Sequence, residues 1–212
     1  MKGIIFDFDF TLADSSKGVY ECVNYALTKL NITLSMEKEI NKTIGHTLEQ
    51  TFLMLSGIKD KTKMKKFKSY FIERADEVMA NLTNLYPRTP KVIKILKSKG
   101  FKLGIVSTKF RYRIINILAR ERLLNFFEVI IGGEDVQNLK PHPSGLLLAI
   151  EQLNLLPSEV IYVGDSVIDS ETAFNAGTSF ICVLTGVTPK KKFNGSQVKS
   201  FIKDLTELPR LL

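Results

Sequence analysis

Cysteine is scarce in this chain, since only Cys22 and Cys182 occur among 212 residues and they lie far apart. Small domains that depend on disulfides use more cysteines than this, so we expect both thiols to be reduced core residues of a cytoplasmic protein. Long apolar runs are also missing, because stretches such as residues 146–150 are far too short to span a bilayer. The N-terminal residues lack the apolar region and small-residue cleavage site of a signal peptide. We therefore expect neither membrane insertion nor export.

The charge is biased towards positive, with 30 Lys and Arg residues against 22 Asp and Glu residues. A net charge of +8 favours anionic partners in general. Many of the lysines fall in helix-like stretches such as residues 59–68, where charge is typical of a solvated face. No basic stripe interleaved with aromatic residues occurs, so we expect a small phosphorylated metabolite as partner rather than nucleic acid.

Apolar runs that predict buried strands alternate with helical patterns in most of the chain. The predicted strands are residues 3–8, 101–107, 129–131, 160–164 and 179–184. Helices are predicted between these strands, and a last short helix is predicted at residues 201–205. Alternating units with near-continuous apolar strands predict a parallel sheet covered on both faces.

Residues 15–86 differ from the rest, because their apolar residues recur at helical spacing and predict three or four helices without a strand. Two prolines at positions 87 and 90 end this segment. The fold class predicted is therefore α/β, with a Rossmann-like parallel sheet core and an inserted α-helical subdomain. The core is assigned to residues 1–13 and 87–212, and the helical subdomain to residues 14–86.

Polar side chains follow four of the predicted strands, where open α/β sheets bind their ligands. These residues are Asp7 and Asp9, Ser107 and Thr108, Lys140, and Asp165 and Asp169. Each has an ordinary structural explanation alone, such as a helix cap or a turn, but together they predict a cup of carboxylates, hydroxyls and one ammonium. The carboxylates would repel one another without a cation. Oxygen donors with no nearby His or Cys favour Mg²⁺ over zinc.

Four segments resemble the motifs of the haloacid dehalogenase-like phosphohydrolase superfamily, in the same order and with similar spacing over nearly the whole chain. DFDFT at residue 7 resembles DxDx[TV], and IVST at residue 105 resembles the strand ending in Ser or Thr. LKPHP at residue 139 resembles the lysine motif, and GDSVIDS at residue 164 resembles GDxxxD. The helical segment lies where this superfamily carries its C1-type cap. The stretch TIGHTLEQTF at residue 43 and the KPHP motif are most similar to the phosphoglycolate phosphatase group.

The resemblance implies catalytic and metal-binding roles for four aspartates. Asp7 is expected to attack phosphorus and form an aspartyl-phosphate, and Asp9 to act as general acid and base. Asp7, Asp165 and the backbone carbonyl of Asp9 are expected to hold Mg²⁺. Asp169 is expected to be an additional metal ligand or to support the others.

The resemblance also implies residues that bind the phosphate or the substrate. Ser107 and Lys140 are expected to donate to phosphoryl oxygens, and Thr108 stands where relatives often carry Asn. Thr11 is expected to orient the Asp7 loop through local hydrogen bonds. His46 lies in a break between helical patterns, in the region that helps C1-capped relatives select substrate, and is a candidate substrate contact. Lys109 and Arg111, just past the second motif, are further candidate anion contacts.

Phe10 departs from the phosphoglycolate phosphatase group, which usually has Gly at this position. Glycine serves where a backbone is unusual or closely approached, so a phenylalanine predicts a negative φ and room for a ring. We expect the ring to lie near the boundary of core and cap and to influence access or packing there. This departure concerns the choice of substrate and not the reaction.

The expected function is that of a Mg²⁺-dependent phosphatase acting on a small phosphate monoester, with phosphoglycolate as first candidate, in a monomer or homodimer. A phosphomutase of the β-phosphoglucomutase type, a pyrophosphatase and a nucleotidase remain open on the same fold. A dehalogenase fits less well, because Asp9 supplies proton transfer that carbon–halogen displacement does not need. A non-catalytic binder fits less well because Asp7, Asp9, Lys140 and Asp165 are all present.

Overall fold

A computed structural model describes the backbone of residues 1–212 and all side chains except that of Ser196. The chain forms two compact units, one of Met1–Ala13 with Leu85–Leu212 and the other of Asp14–Asn84. The sequence placed the second boundary two residues later, after residue 86. The Tyr86 N–H donates to the carbonyl of Leu12 (3.1 Å), which holds this stretch within the first unit.

The first unit is an α/β domain around a parallel sheet, which confirms the predicted fold class. The strands of the chain are β1 (Gly3–Phe6), β2 (Ala13–Asp14), β3 (Asn84–Leu85), β4 (Lys102–Val106), β5 (Val129–Ile131), β6 (Val160–Gly164), β7 (Ser179–Val183) and β8 (Ser200–Ile202). Six of them form one sheet in the order β5-β4-β1-β6-β7-β8, and β2 and β3 form a separate two-stranded sheet. All five pairings in the six-stranded sheet are parallel.

Four helices precede or join the strands of this sheet, and a fifth follows its last strand. They are α5 (Thr89–Ser98), α6 (Arg111–Arg120), α7 (Ser144–Gln152), α8 (Val167–Ala176) and the short α9 (Leu208–Leu211). Every residue of β1 and β6 is buried, as expected for central strands covered on both faces. Cys182 lies buried in β7 and Cys22 is buried in the second unit, and both are free thiols as predicted.

The second unit contains four helices, within the number predicted. They are α1 (Ser16–Lys29), α2 (Glu37–Asn41), α3 (Leu48–Ser56) and α4 (Lys61–Leu82). Buried apolar residues recur at helical spacing on α1 and α4, and Gly18 lies where a Cβ would approach Met79 Sδ to 2.7 Å. Thr47 and Gln50 form a capping box at the start of α3, which explains why this helix begins after the GHT break. In the part of the chain that the structure describes, no helix is both long and apolar enough to cross a membrane.

The predicted helix at residues 201–205 is wrong. These residues begin in strand β8, where Phe201 pairs with Cys182 of β7. Ile202 is fully buried, and the Phe201 ring packs edge-on against Phe193 at 5.6 Å between ring centres. A three-residue strand has too short an alternation to be distinguished from a helical turn, so tertiary packing decides its conformation. The structure also places the two-residue β3 inside the segment predicted to lack strands.

Phe10 has a backbone φ of 57°, so the expected negative φ is wrong. The chain leaves β1 after Phe6 and turns, with the N–H groups of Leu12 and Ala13 both donating to the carbonyl of Phe8. The Phe10 N–H donates to the carbonyl of Ala13 at 2.7 Å. The left-handed region costs a residue with a Cβ about 1–2 kcal/mol. Burial of the ring, which is 6% exposed, offsets this cost.

Two substitutions at Phe10 test this conformation. Both Phe10→Gly and Phe10→Ala remove a buried ring, at a cost of about 3–5 kcal/mol. We expect Phe10→Gly to be the more stable of the two by about 1 kcal/mol, because Ala keeps the strain of a left-handed residue and Gly does not. Urea unfolding of both variants measures the difference. A more stable Phe10→Ala would contradict the left-handed assignment.

Candidate active site

Three neighbouring strands bring their polar ends to one edge of the sheet. Phe6 of β1 pairs with Ile105 of β4 on one side and with Val163 of β6 on the other. Because these strands are parallel, Asp7, Ser107 and Asp165 follow them at the same edge. The Asp7 N–H continues the ladder by donating to the Val163 carbonyl (2.8 Å), so the strand fixes the origin of this carboxylate.

Lys140 joins two of the predicted aspartates. Its Nζ lies 2.8 Å from Asp7 Oδ1 and 2.6 Å from Asp169 Oδ1, and all three side chains are buried. Nζ also donates to the hydroxyl of Tyr162 at 3.1 Å. The lysine reaches the site from the segment before α7, in which the Lys140–Pro141 peptide is cis.

Asp169 is held by hydrogen bonds on both of its oxygens. Oδ1 faces Lys140 Nζ and the Tyr162 hydroxyl (3.1 Å), and Oδ2 accepts from the hydroxyl and the N–H of Ser166. Asp169 and Ser166 form the capping box at the start of α8, which fixes the side chain relative to β6. Gly164 leaves room for it, since a Cβ there would lie 2.6 Å from Asp169 Cγ. Both oxygens of Asp169 are thus occupied by hydrogen bonds. Asp169 is therefore better placed to hold Lys140 than to coordinate a cation directly.

Three carboxylates could hold a metal ion. Asp7, Asp165 and Asp169 each offer one oxygen, these oxygens all lie within 4.8 Å of one another, and all three residues are buried. Only oxygen atoms make up this donor set, which suits Mg²⁺ better than zinc. The residues present therefore fit the predicted cofactor.

The electrostatics of the site favour a cation. Burial raises the pKa of Asp7 to about 7, although the charge of Lys140 opposes this shift. Burial also raises the pKa of Asp165 well above its usual range, and the charges of Asp169 and Asp7 add to the effect. Burial alone would lower the pKa of Lys140, but the charges of Asp169 and Asp7 outweigh it and raise that pKa. The single ammonium of Lys140 thus does not balance the negative charge of the buried carboxylates. A divalent cation bound among them would balance it.

Asp9 has a cationic partner of its own. Lys109 Nζ lies 3.1 Å from Asp9 Oδ1, and both side chains are at least nine-tenths buried. The two charged groups form an ion pair, but their geometry is not that of a hydrogen bond. Asp9 Oδ1 has no hydrogen-bond partner among the described residues. Lys109 was a candidate anion contact from the sequence, and its partner in the structure is this carboxylate. The Lys109 N–H donates to Ser107 Oγ (3.2 Å), so the Ser107 hydroxyl can still donate its own proton.

The other predicted site residues lie in different surroundings. Thr11 is fully buried. Its hydroxyl donates to Asp165 Oδ1 (3.4 Å), so this side-chain hydrogen bond joins Thr11 to the loop after β6 and not to its own loop. Thr108 is half-buried beside Ser107.

His46 belongs to the helical unit, is half-buried, and donates its N–H to the carbonyl of Thr43 (3.1 Å). Arg111 is half exposed and pairs with Asp135 (3.2 Å). Substrate contacts by Thr108 and His46 stay predictions.

Comparison with known proteins identifies the family. Residues 4–183 match the family model of the haloacid dehalogenase-like hydrolases. The chain belongs to this family. A solved structure from Bacteroides fragilis, described as a haloacid dehalogenase-like hydrolase, is 41% identical with a TM-score of 0.94, over 98% of this chain and 99% of that one.

Curated relatives carry the name phosphoglycolate phosphatase. The protein of Salmonella choleraesuis strain SC-B67 is 30% identical over 89% of this chain and 81% of its own length. That of Escherichia coli strain K12 is 28% identical over 98% of this chain and 91% of its own. The predicted enzyme class, a phosphoric monoester hydrolase of the haloacid dehalogenase-like family, agrees with the family match and with these names.

Sequence reasoning missed two residues of this haloacid dehalogenase-like site. Tyr162 belongs to the apolar run of β6, where its ring packs with Phe180 and its hydroxyl contacts Lys140 and Asp169. A buried tyrosine hydroxyl requires a polar partner, so a tyrosine beside a glycine–aspartate motif is the signal that could have been used. Ser166 could have been found from the S-x-x-D spacing of a helix cap.

The raised pKa of Asp7 predicts how stability depends on pH in metal-free buffer. The pKa is 3.8 for an ordinary aspartate and about 7 in the folded chain, so folding takes up a proton between these values. Proton uptake by Asp7 therefore adds to the free energy of unfolding. The addition is complete below pH 3.8 and is lost as the pH rises through about 7. Asparagine does not titrate, so Asp7→Asn does not lose this contribution. As the pH rises from about 4 to about 8, the free energy of unfolding of the variant should therefore rise relative to that of the native protein. Denaturant unfolding in EDTA measures the difference, and a constant difference across this range would contradict the assignment.

Proposed function

We propose that the chain is a Mg²⁺-dependent phosphatase that hydrolyses a small phosphate monoester through an aspartyl-phosphate on Asp7. The observation that carries the proposal is the position of Asp7, at the end of the central strand, within 2.8 Å of Lys140 Nζ and grouped with Asp165 and Asp169. A carboxylate nucleophile divides one difficult displacement at phosphorus into two easier ones.

Proton transfer is assigned to Asp9. In the first step an oxygen of Asp7 forms a bond to phosphorus, the bond to the ester oxygen breaks, and Asp9 gives its proton to the leaving oxygen. In the second step water attacks the phosphorus of the aspartyl-phosphate, Asp9 takes a proton from it, and the Asp7 carboxylate is released. Such acid–base assistance is worth about 10²–10⁴-fold. Lys109 Nζ, 3.1 Å from Asp9 Oδ1, pairs with the deprotonated form of Asp9, which is the form that takes a proton from water in the second step.

The remaining residues bind and orient the phosphoryl group. Lys140 and the Ser107 hydroxyl are donors to its oxygens, where charge develops during transfer. Asp7, Asp165 and the backbone carbonyl of Asp9 would hold Mg²⁺, which offsets the charges of nucleophile and phosphate when bound. Asp169 is assigned mainly to Lys140, because four hydrogen-bond donors surround its two oxygens.

Phosphoglycolate is the first substrate to test, because relatives that align with most of this chain are named phosphoglycolate phosphatases. Purified protein is incubated with a panel of phosphorylated metabolites, with Mg²⁺ or with EDTA, and released phosphate is measured. We expect release with Mg²⁺ and none with EDTA. Absence of release from every compound would contradict the proposal, and isomerisation of a sugar phosphate without release would indicate a mutase instead.

A further inference from the structure

The turn that follows β7 contacts the site although it belongs to none of the four motifs. We call residues 184–186 the post-β7 turn. The Thr185 hydroxyl donates to the backbone carbonyl of Phe10, and the Tyr86 hydroxyl lies 3.5 Å from the Thr185 carbonyl. The turn therefore holds the loop on which Asp9 and Thr11 stand.

Gly186 of this turn lies directly against Asp165. A Cβ built on Gly186 would lie 1.8 Å from Asp165 Oδ2, 2.6 Å from Cγ and 2.9 Å from Cβ. Atoms that are not bonded cannot approach this closely, so a side chain here would displace the carboxylate. The Gly186 backbone is outside the left-handed region. The requirement for glycine at this position is therefore one of space rather than of backbone conformation.

Contacts from two loops restrict Asp165. The Gly186 backbone borders Oδ2, and the Thr11 hydroxyl lies 3.4 Å from Oδ1. The bond from Thr185 to the Phe10 carbonyl links these two loops. This bond ends at Phe10, whose backbone is left-handed. A residue with a Cβ keeps such a conformation only where the surrounding structure holds it.

We propose that the post-β7 turn positions the carboxylates of this site, with Gly186 setting the place of Asp165 and Thr185 holding the loop of Asp9 and Thr11. The assignment of Asp165 as a metal ligand rests on the proposed function. The packing of Gly186 against Asp165 does not, so the two can be tested separately.

Mg²⁺ binding tests the positioning role without reference to turnover. Contacts that orient a metal ligand are worth about 10–100-fold in metal affinity, and we expect Gly186→Ala to weaken Mg²⁺ binding in isothermal titration calorimetry by that factor. Gly195→Ala is the matched control, because a Cβ there meets nothing within 4 Å, and it should bind as the native protein does. Thr185→Val should weaken binding as well, and Thr185→Ser, which keeps the hydroxyl, should not. Native affinity in Gly186→Ala would overturn the proposal.

A stability cycle tests the contact itself, even where the metal affinity of a variant cannot be measured. Gly186→Ala should destabilise the native protein, and it should destabilise an Asp165→Gly background much less, because the whole side chain that it meets has been removed. Equal losses of unfolding free energy in both backgrounds would overturn the role of Gly186. Native protein that shows this coupling but binds no Mg²⁺ would contradict the proposed function while leaving the contact established.

Discussion

Asp7→Asn is expected to lower the rate of phosphate release by a factor on the order of 10⁴ to 10⁶, because removal of a nucleophile eliminates the covalent route. Asparagine has nearly the same shape as aspartate, but its amide is neither a comparable nucleophile nor a comparable ligand for Mg²⁺. Lys140 keeps Asp169 as a partner in the variant, so the side chains around position 7 retain most of their contacts.

The measurement is kcat with saturating Mg²⁺ and the best substrate of the panel. Asp76→Asn, at an exposed aspartate of α4, is the matched control and should keep the native rate. Urea unfolding of Asp7→Asn tests whether the variant is folded, and we expect it to be at least as stable as the native protein because it no longer carries a buried carboxylate with a raised pKa. An undiminished rate in a folded Asp7→Asn would contradict the assignment of the nucleophile.

Lys140→Met is expected to affect both catalysis and stability. Loss of one donor to developing charge lowers kcat by about 10²–10³-fold. Loss of the ammonium also leaves Asp7 and Asp169 buried without their shared partner. Breaking a buried ion pair in this way costs about 3–5 kcal/mol of unfolding free energy in metal-free buffer.

A double variant separates these two effects. Lys140→Met with Asp169→Asn removes one of the two uncompensated carboxylates, so it should regain part of the stability without regaining activity. Lys91→Met, at an exposed lysine of α5, is the control for loss of a positive charge and should leave both properties unchanged. Full activity in Lys140→Met would contradict the role of this lysine.

Much of the site could be predicted because parallel strands bring their carboxyl ends to one edge of a sheet. Asp7, Ser107 and Asp165 directly follow buried apolar runs, and these runs are the three central neighbours β4, β1 and β6. The pairing of Asp9 with Lys109 was not predictable, because the turn after β1 has no regular period. The φ of Phe10 was predicted wrongly because residue type is only a weak guide where long-range contacts hold the backbone.

The contacts of Thr185 and Gly186 could not be inferred from sequence for a similar reason. Both residues follow an apolar strand, and their roles depend on their distances to groups elsewhere in the fold, the Phe10 carbonyl and the Asp165 carboxylate. Thr185 is 175 residues from the carbonyl that it contacts. Strand β8 was missed because three residues do not establish a period, and its pairing with β7 is decided by packing.

Trapping the covalent intermediate tests the central claim most directly. In Asp9→Asn with p-nitrophenyl phosphate, the leaving group departs without a proton donor, whereas the attack of water loses its base. We expect one equivalent of p-nitrophenolate in a burst, with one equivalent of acid-stable, hydroxylamine-sensitive phosphate on the protein, mapped to residue 7 by borohydride reduction to homoserine. A burst of p-nitrophenolate without protein-bound phosphate, or with phosphate on another residue, would contradict the account.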